Sequence, residues 1–340
     1  LVMRIGILTS GGDCPGINAT LRGVSKIAIN HYGMEVVGIH SGFQGLLDND
    51  VEPFGTDNLS GLLGMGGTVL GTSRVKLFPR RGSDSQTENA RRMMQTIEQQ
   101  GIECLVCIGG NGTQNTAARI AAMGVNVVTI PQTIDNDIWG TDSSLGFDSA
   151  VEVATEAIDR LHSTASSHKR VMVIEVMGHE AGWLALHSGM AGGGDIILLP
   201  ELPYKMRNLG NVIIDRLKRG KPYSIVVVAE GIHTDADSRK RAGEYIAQEI
   251  EYETGFETRE TVLGYLQRGG TPTSFDRNLA TLMGGHAVEL IADRRFGRMV
   301  TLQGDTISSI PLTDVAGKVK LVTPDADLIV QGKRMGVCFG

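Results

Sequence analysis

Residues 4–16 read RIGILTSGGDCPG, an apolar stretch that runs straight into a glycine-rich turn. The pattern predicts a buried strand over residues 4–10, and the spacing of apolar residues after the turn predicts a helix from Ile17 to Asn30. Glycines at the carboxyl end of a strand let main-chain N–H groups approach a phosphate, and the helix N-terminus adds a favourable dipole. The same order of strand, turn and helix returns at residues 104–113, CLVCIGGNGT. Two such turns predict a phosphate-binding edge of a parallel sheet.

Strand-like apolar runs alternate with helix-period segments along the rest of the chain. Those runs are EVVGIH (35–40), VNVVTIP (125–131), RVMVIEVMG (170–178), DIILLPE (195–201), YSIVVVAEG (223–231) and TVLGYLQRGG (261–270). This alternation predicts an α/β protein with mostly parallel sheets, covered by helices on both faces. A length of 340 residues favours two domains or a single large one. We expect the chain to cross between domains in the loop-rich segment 132–146.

Composition excludes several classes of protein. The net charge of −6 argues against nucleic acid as the main partner, and no run of 18 uncharged apolar residues predicts a membrane span. The N-terminal sequence lacks the pattern of a secretory signal, so we expect a cytoplasmic protein. The 45 glycines exceed the usual share and fit tight turns and phosphate loops.

Cys104 and Cys107 form a C-x-x-C spacing that occurs in redox and zinc sites. In a strand, however, an odd separation directs the two side chains to opposite faces. Both thiols could not then reach one metal, and we interpret them as core cysteines.

The segment 131–138 reads PQTIDNDI and follows a predicted strand, so it lies where a sheet-edge site is expected. Asp135 and Asp137 could coordinate magnesium, accept a proton from a hydroxyl, or divide these roles. An ordinary turn with solvated aspartates is the alternative.

Other phosphate and metal motifs fail. There is no G-x-x-x-x-G-K-[ST] loop, the residues after Gly110 only approach a dinucleotide fingerprint, and the protein-kinase loops are absent. His179 and Glu180 begin a zinc-protease motif, but Trp183 stands where its second histidine is required.

Several motifs in order resemble the ATP/pyrophosphate-dependent phosphofructokinase family. They are GGDCPG, GTSR, GGNGT, PQTIDNDI, SSHKRVMVIEVMGHEAG, AEG and ETRETVLGYLQRGG. The resemblance implies two similar-sized three-layer α/β lobes with mostly parallel sheets and an active site in the cleft between them. It implies a nucleotide-binding lobe of residues 1–146 plus about 267–318, and a fructose 6-phosphate-binding lobe of residues 147–266 plus about 319–340.

The implied reaction moves the γ-phosphoryl group of ATP to the 1-hydroxyl of fructose 6-phosphate, with Mg²⁺ as cofactor, in glycolysis. Asp135 is the implied proton acceptor, Thr133 holds the transferring group, Arg74 neutralises its charge, and Asp137 helps to hold the metal or orient the loop. The implied donor-binding residues are Gly12, Arg74, Val75, Gly110, Asn111, Gly112 and Thr113, and the implied metal ligands are Asn111 and Asp137.

The implied sugar-phosphate residues are Thr133, Asp135, Arg170, Met177, Gly178, His179, Glu230, Arg259, Tyr265 and Arg268. In the family the counterparts of Arg170 and Arg259 reach in from a neighbouring subunit. A homo-oligomer, tetramer or dimer, with shared active sites is therefore implied.

Four residues depart from the best-known members of the family. Asn111 stands where an aspartate is usual, and Gln132 stands where a glycine or lysine is usual. His179 and Tyr265 replace residues that are often arginine and histidine. Pyrophosphate users carry an aspartate at the position of Gly112, so Gly112 favours ATP, with pyrophosphate as the alternative donor. A catalytically dead sugar-phosphate-binding paralogue is the rival from another class, motivated by Asn111 and Gln132. An NAD or lipid kinase is a second rival, but those enzymes share only the glycine-rich turn with this sequence.

Overall fold

The computed structural model describes residues 2–79, 84–234 and 240–340. The chain divides into two compact units that each combine separate segments. The first unit comprises Leu1–Thr133, Ile138–Asp148 and Arg268–Val319, and the second comprises Ile134–Asp137, Ser149–Gln267 and Lys320–Gly340.

Most strands of the described residues lie within predicted apolar runs, but three of them were not predicted: Val51–Pro53, Arg298–Gln303 and Thr306–Pro311. The strands of the described residues are β1 (Arg4–Ser10), β2 (Glu35–Ile39), β3 (Val51–Pro53), β4 (Cys104–Gly109), β5 (Val127–Pro131), β6 (Val171–Val176), β7 (Ile196–Leu198), β8 (Ser224–Ala229), β9 (Thr258–Val262), β10 (Arg298–Gln303) and β11 (Thr306–Pro311). One predicted strand is wrong in its position. The run 261–270 contains only the end of β9, and Gly264–Arg268 forms a 3₁₀ helix. Gly264 has a φ of +52°, which interrupts an extended backbone.

The helices of the described residues confirm the predicted alternation. They are α1 (Ile17–Asn30), α2 (Phe43–Asp48), α3 (Asp84–Gln99), α4 (Asn111–Ala122), α5 (Phe147–His168), α6 (Trp183–Ala191), α7 (Met206–Lys218), α8 (Ala242–Thr254), α9 (Ser274–Ala292), α10 (Leu312–Val315) and α11 (Asp327–Met335). No helix in the described ranges is long and apolar enough to cross a bilayer.

Seven strands of the first unit, as far as it is described, form one sheet in the order β11-β10-β5-β4-β1-β2-β3. The inner pairs are parallel, whereas β3 and β11 are antiparallel to their neighbours. Because β1, β4 and β5 are adjacent and parallel, their carboxyl ends meet at one edge of the sheet. The two glycine turns and the PQTIDNDI loop start from that edge.

Helices α1 and α9 pack tightly against each other in the first unit. A Cβ on Gly23 would lie 3.0 Å from the carbonyl oxygen of Ala280, and one on Gly284 would lie 2.8 Å from the amide nitrogen of Val24. Only glycine allows this approach of two helix backbones. A separate apolar cluster joins the sheet to α2, α3, α4 and α10 and includes Leu8, Leu46, Met93, Leu105, Ile120 and Val315.

The second unit contains the parallel sheet β7-β8-β6-β9. Strand β6 lies between β8 and β9, and Glu175 near its end pairs in register with Val228 and Val262. The segment after β6 therefore starts from the middle of the sheet, where α/β proteins place ligands.

Candidate active site

The first glycine turn links β1 to α1 and is held by the segment that contains GTSR. Gly11 has a φ of +94°, and its amide donates to the carbonyl oxygen of Ser73 at 3.2 Å. At Gly12 a Cβ would lie 3.0 Å from Nη1 of Arg268. The guanidinium of Arg268 thus lies directly over Gly12, and any side chain there would displace it. Arg74 follows Ser73 and is exposed, as is Val75.

The second glycine turn links β4 to α4 and is tied to the first. Thr113 is 3% exposed, and its hydroxyl donates to the carbonyl oxygen of Ser10 at 3.1 Å. A Cβ on Gly109 would lie 2.3 Å from that hydroxyl oxygen, so the turn closes only with glycine. Gly112, in contrast, is exposed, and a Cβ there would meet no atom within 4 Å. Open space therefore lies in the direction that a side chain at position 112 would take, in the first turn of α4.

Gln132 connects the third loop to both glycine turns. Its amide N–H donates to the carbonyl oxygen of Gly109 at 3.1 Å. Its side-chain Nε2 lies 2.7 Å from Sγ of Cys14 and 3.3 Å from the carbonyl oxygen of Gly12. Burial is the main cause that raises the pKa of the Cys14 thiol well above its usual value, so this cysteine remains a neutral thiol.

The residues after Gln132 form a loop fixed by main-chain contacts. The amide of Thr133 donates to the carbonyl oxygen of Leu145 at 3.1 Å, and the Ser144 hydroxyl donates to the carbonyl oxygen of Thr133 at 2.7 Å. A Cβ on Gly110 would lie 3.7 Å from Cβ of Thr133. Thr133 is thereby placed beside the second glycine turn.

The Asp135–Asp137 segment belongs to the second unit and has an unusual backbone. Asn136 has a φ of +52°, in the left-handed region that non-glycine residues seldom adopt. Asn136 is 3% exposed and Asp137 8% exposed, whereas Asp135 is half-buried. A buried turn with a left-handed residue that keeps one carboxylate accessible is a candidate functional loop.

A cavity of about 590 Å³ in the second unit is lined by four of the predicted sugar-phosphate residues: Met177, His179, Glu230 and Tyr265. Glu230 Oε1 accepts hydrogen bonds from the amides of Gly178 at 3.2 Å and His179 at 2.9 Å. His179, like Asn136, has a positive φ, of +54°. The carboxylate of Glu230 therefore fixes the turn after β6 and faces the same cavity.

Two predicted arginines of the second unit do not line this cavity. Arg170 Nε lies 2.8 Å from Oε2 of Glu257, and Arg259 Nη2 lies 2.7 Å from its Oε1. The hydrogen bond from Arg170 is the main cause that lowers the pKa of Glu257. The pair Arg170 and Arg259 is therefore held together by one shared carboxylate.

Sequence reasoning missed several residues that line the cavity, among them Glu175, Lys240 and Arg241. Glu175 is 7% exposed, its Oε2 accepts from the amide of Gly243 at 2.7 Å, and burial is the main cause that raises its pKa. A glutamate inside the apolar strand VMVIEV was the available signal. Lys240 and Arg241 had no such signal, because basic residues before a helix are common on surfaces.

The thiols of the C-x-x-C spacing are both buried in β4, and burial raises the pKa of Cys107 to about 12. The interpretation as core cysteines is consistent with this burial.

The phosphofructokinase family model matches residues 4–291. The chain belongs to the phosphofructokinase family. It is 73% identical to "ATP-dependent 6-phosphofructokinase 3" of Bacteroides thetaiotaomicron over 99% of this chain and 100% of that relative. It is 43% identical to "Pyrophosphate--fructose 6-phosphate 1-phosphotransferase" of Streptomyces coelicolor over 99% of this chain and 100% of that relative.

Among solved structures, phosphofructokinase of Pichia pastoris in the T-state superposes with a TM-score of 0.85 at 33% identity. The superposition covers 93% of this chain and 35% of that longer one. The predicted family and α/β fold are confirmed.

Proposed function

We propose that this phosphofructokinase transfers the γ-phosphoryl group of ATP to the 1-hydroxyl of fructose 6-phosphate, giving fructose 1,6-bisphosphate and ADP. Phosphoryl transfer needs positioning and charge neutralisation more than covalent work by the protein. The observation that carries the proposal is the set of three loops on adjacent parallel strands, tied together by Thr113 and Gln132. Identity of 73% to a relative named as ATP-dependent supports ATP as the donor.

The donor residues proposed are Gly12, Arg74, Val75, Gly110, Asn111, Gly112 and Thr113. The open space at Gly112 lies in the first turn of α4, where main-chain N–H groups and the helix dipole favour a phosphate. Because the hydroxyl of Thr113 is already bonded to Ser10, we assign that residue a main-chain contact with phosphate. Arg74 is exposed and supplies a guanidinium for the charge that develops on the transferring group.

Asp135 is the proposed general base. The 1-hydroxyl oxygen bonds to the γ-phosphorus while the bond from that phosphorus to the β,γ-bridging oxygen breaks. The hydroxyl proton moves to the Asp135 carboxylate, Thr133 holds the transferring group, and ADP leaves.

Asn111 and Asp137 offer an amide oxygen and a carboxylate, which are hard oxygen donors of the kind that Mg²⁺ binds together with water and phosphate oxygens. The oxygen chemistry of each residue suits Mg²⁺, and we propose each as a protein ligand of the ion. When bound, the ion neutralises charge on the donor phosphates. Replacement of the family's aspartate by Asn111 removes one negative charge from the site.

The sugar phosphate is proposed to bind Met177, Gly178, His179, Glu230 and Tyr265, joined by Arg170, Arg259 and Arg268. The carboxylate of Glu230 can accept hydrogen bonds from sugar hydroxyls, while arginine guanidinium groups bind phosphate. Because Arg170 and Arg259 do not line the cavity of their own unit, we propose that they serve a neighbouring subunit in a homo-oligomer. We place this glycolytic reaction in the cytoplasm.

Pyrophosphate is the second candidate donor, since a relative 43% identical carries that name and Gln132 supplies neither the glycine nor the lysine of the better-known members. The deciding measurement is kcat/KM for ATP and for pyrophosphate with saturating fructose 6-phosphate and Mg²⁺. We expect ATP to be preferred by at least about tenfold, which corresponds to about 1.4 kcal/mol. Preference for pyrophosphate would overturn the donor assignment, and absence of turnover with both donors would overturn the catalytic assignment.

A further inference from the structure

Lys320 makes two contacts with the turn that carries the proposed base. Its Nζ donates to Oδ1 of Asn136 at 3.0 Å, and its amide donates to the carbonyl oxygen of Asp137 at 2.8 Å. Lys320 lies about 180 residues along the chain from this turn, outside every motif that resembles the family. The contacts bring a cation and a main-chain donor to the two residues that follow Asp135.

The side chain of Lys320 is itself held by helix α6. Its Nζ lies 5.3 Å from the centre of the Trp183 ring, in the geometry of a cation–π contact. Trp183 Nε1 donates to the carbonyl oxygen of Lys320 at 2.9 Å. Burial, and then the charge of Lys320, lowers the pKa of His187 one turn along α6, so a neutral imidazole faces the lysine. The lysine is thus fixed at both its carbonyl and its ammonium group.

Glu201 anchors the same segment of chain. Its Oε1 accepts from the amide of Gly182 at 2.9 Å and from the amide of Val322 at 3.0 Å. A Cβ on Gly182 would lie 2.7 Å from Oε2 of Glu201, so a side chain there would push this carboxylate away from the start of α6. The segment 320–322 is therefore attached to the start of α6 at two points, through Trp183 and through Glu201.

The backbone of Asn136 has a positive φ of +52°. Asparagine adopts this region more readily than most non-glycine residues because its short polar side chain can hydrogen-bond nearby, and here its Oδ1 accepts from Lys320. A loop held in that conformation keeps its flanking side chains in place only while the contacts persist.

We propose that Lys320 is a positioning residue for phosphoryl transfer, which fixes the Asn136–Asp137 turn so that the Asp135 carboxylate is presented in one orientation. This role rests on the proposed function of Asp135 as the base. It requires no contact between Lys320 and substrate, so Lys320 acts on kcat and leaves substrate affinity unchanged.

The test compares three variants of the full chain. Lys320→Met removes the cation and keeps most of the side-chain volume, Lys320→Arg keeps the charge, and Lys318→Met removes an equal charge two residues away on an exposed side chain. We expect Lys320→Met to lower kcat by about 10- to 100-fold, the range for loss of a charge-assisted hydrogen bond, with KM for each substrate within about threefold. Lys320→Arg should recover most of kcat, and Lys318→Met should match the wild type.

A double-mutant cycle with Asn136→Gly tests the route of the effect. Glycine permits the positive φ but lacks the amide that Lys320 contacts. In the Asn136→Gly background, Lys320→Met should lower kcat by less than about threefold, because the Asn136 amide oxygen that accepts from Lys320 is already gone. Hydrogen exchange of the amides at residues 134–137 gives a readout independent of activity, and it should be faster in Lys320→Met than in the wild type or Lys318→Met.

Four results would overturn the inference: a Lys320→Met enzyme with kcat within about threefold of the wild type, a KM raised more than about tenfold, full additivity in the cycle, or unchanged exchange at 134–137. A wild-type protein without turnover would instead refute the proposed function, while the exchange experiment would still test the attachment of the turn.

Discussion

Replacement of Gly112 by aspartate tests the donor assignment most directly. The residue is exposed in the first turn of α4, and a Cβ there meets no atom within 4 Å. The fold therefore accepts the new side chain without a clash. A carboxylate in the first turn of a helix is also favourable by about 0.3–1 kcal/mol, so the melting temperature should not fall.

Gly112→Asp should lower kcat/KM for ATP because the new carboxylate repels the charge of the ATP phosphates. A carboxylate about 4 Å from a phosphate at an effective dielectric constant of about 20 adds roughly 4 kcal/mol of repulsion. At about 1.4 kcal/mol per tenfold change, this repulsion alone corresponds to about 10³-fold in kcat/KM. Because position 112 is exposed, solvent and salt screen the interaction, and we expect a loss of about 10²-fold.

The assay couples fructose 1,6-bisphosphate formation to NADH oxidation and measures kcat/KM for ATP at two salt concentrations. Gly112→Asn is the matched control, because it adds nearly the same volume without charge. We expect Gly112→Asp to lower kcat/KM for ATP far more than Gly112→Asn does, and the loss should be smaller at high salt. Equal losses in both variants would show that volume and not charge is responsible, and an Asp variant within about threefold of the wild type would refute the placement of the donor at α4.

Three further predictions address the base, the oligomer and stability. Asp135→Ser should lower kcat by about 10²- to 10⁴-fold with sugar-phosphate affinity retained; a variant with most of the wild-type kcat would exclude Asp135 as the base. Inactive Arg170→Ala subunits mixed with inactive Asp135→Ser subunits should regain activity in hybrids, and strictly inactive hybrids would count against shared sites. Glu175→Gln should raise the melting temperature at neutral pH but not near pH 4. Burial raises the pKa of Glu175, so its contribution to stability is lost as pH rises from the unfolded pKa through the folded one. Equal melting temperatures of variant and wild type at neutral pH would contradict this.

The sequence alone predicted how most strands and helices alternate along the chain, because apolar runs and glycine turns are local signals. The helix predicted from Ile17 to Asn30 matches α1, and the strand predicted over residues 4–10 matches β1. The family also followed from motifs, since several short, ordered stretches cannot recur together by chance. The misplaced strand at 261–270 had a local cause: Gly264 turns the chain although the flanking residues favour a strand.

Tertiary structure alone decided which distant residues support the site. No local pattern links Lys320 to Asn136 or Gln132 to Cys14, because a hydrogen bond between side chains depends on where the backbone brings them. The same holds for Glu175, whose place in an apolar strand was visible but whose contact with the start of α8 was not. Sequence motifs thus identified the groups proposed to contact substrate, while the contacts that hold those groups in place arise only when separate segments of the chain pack together.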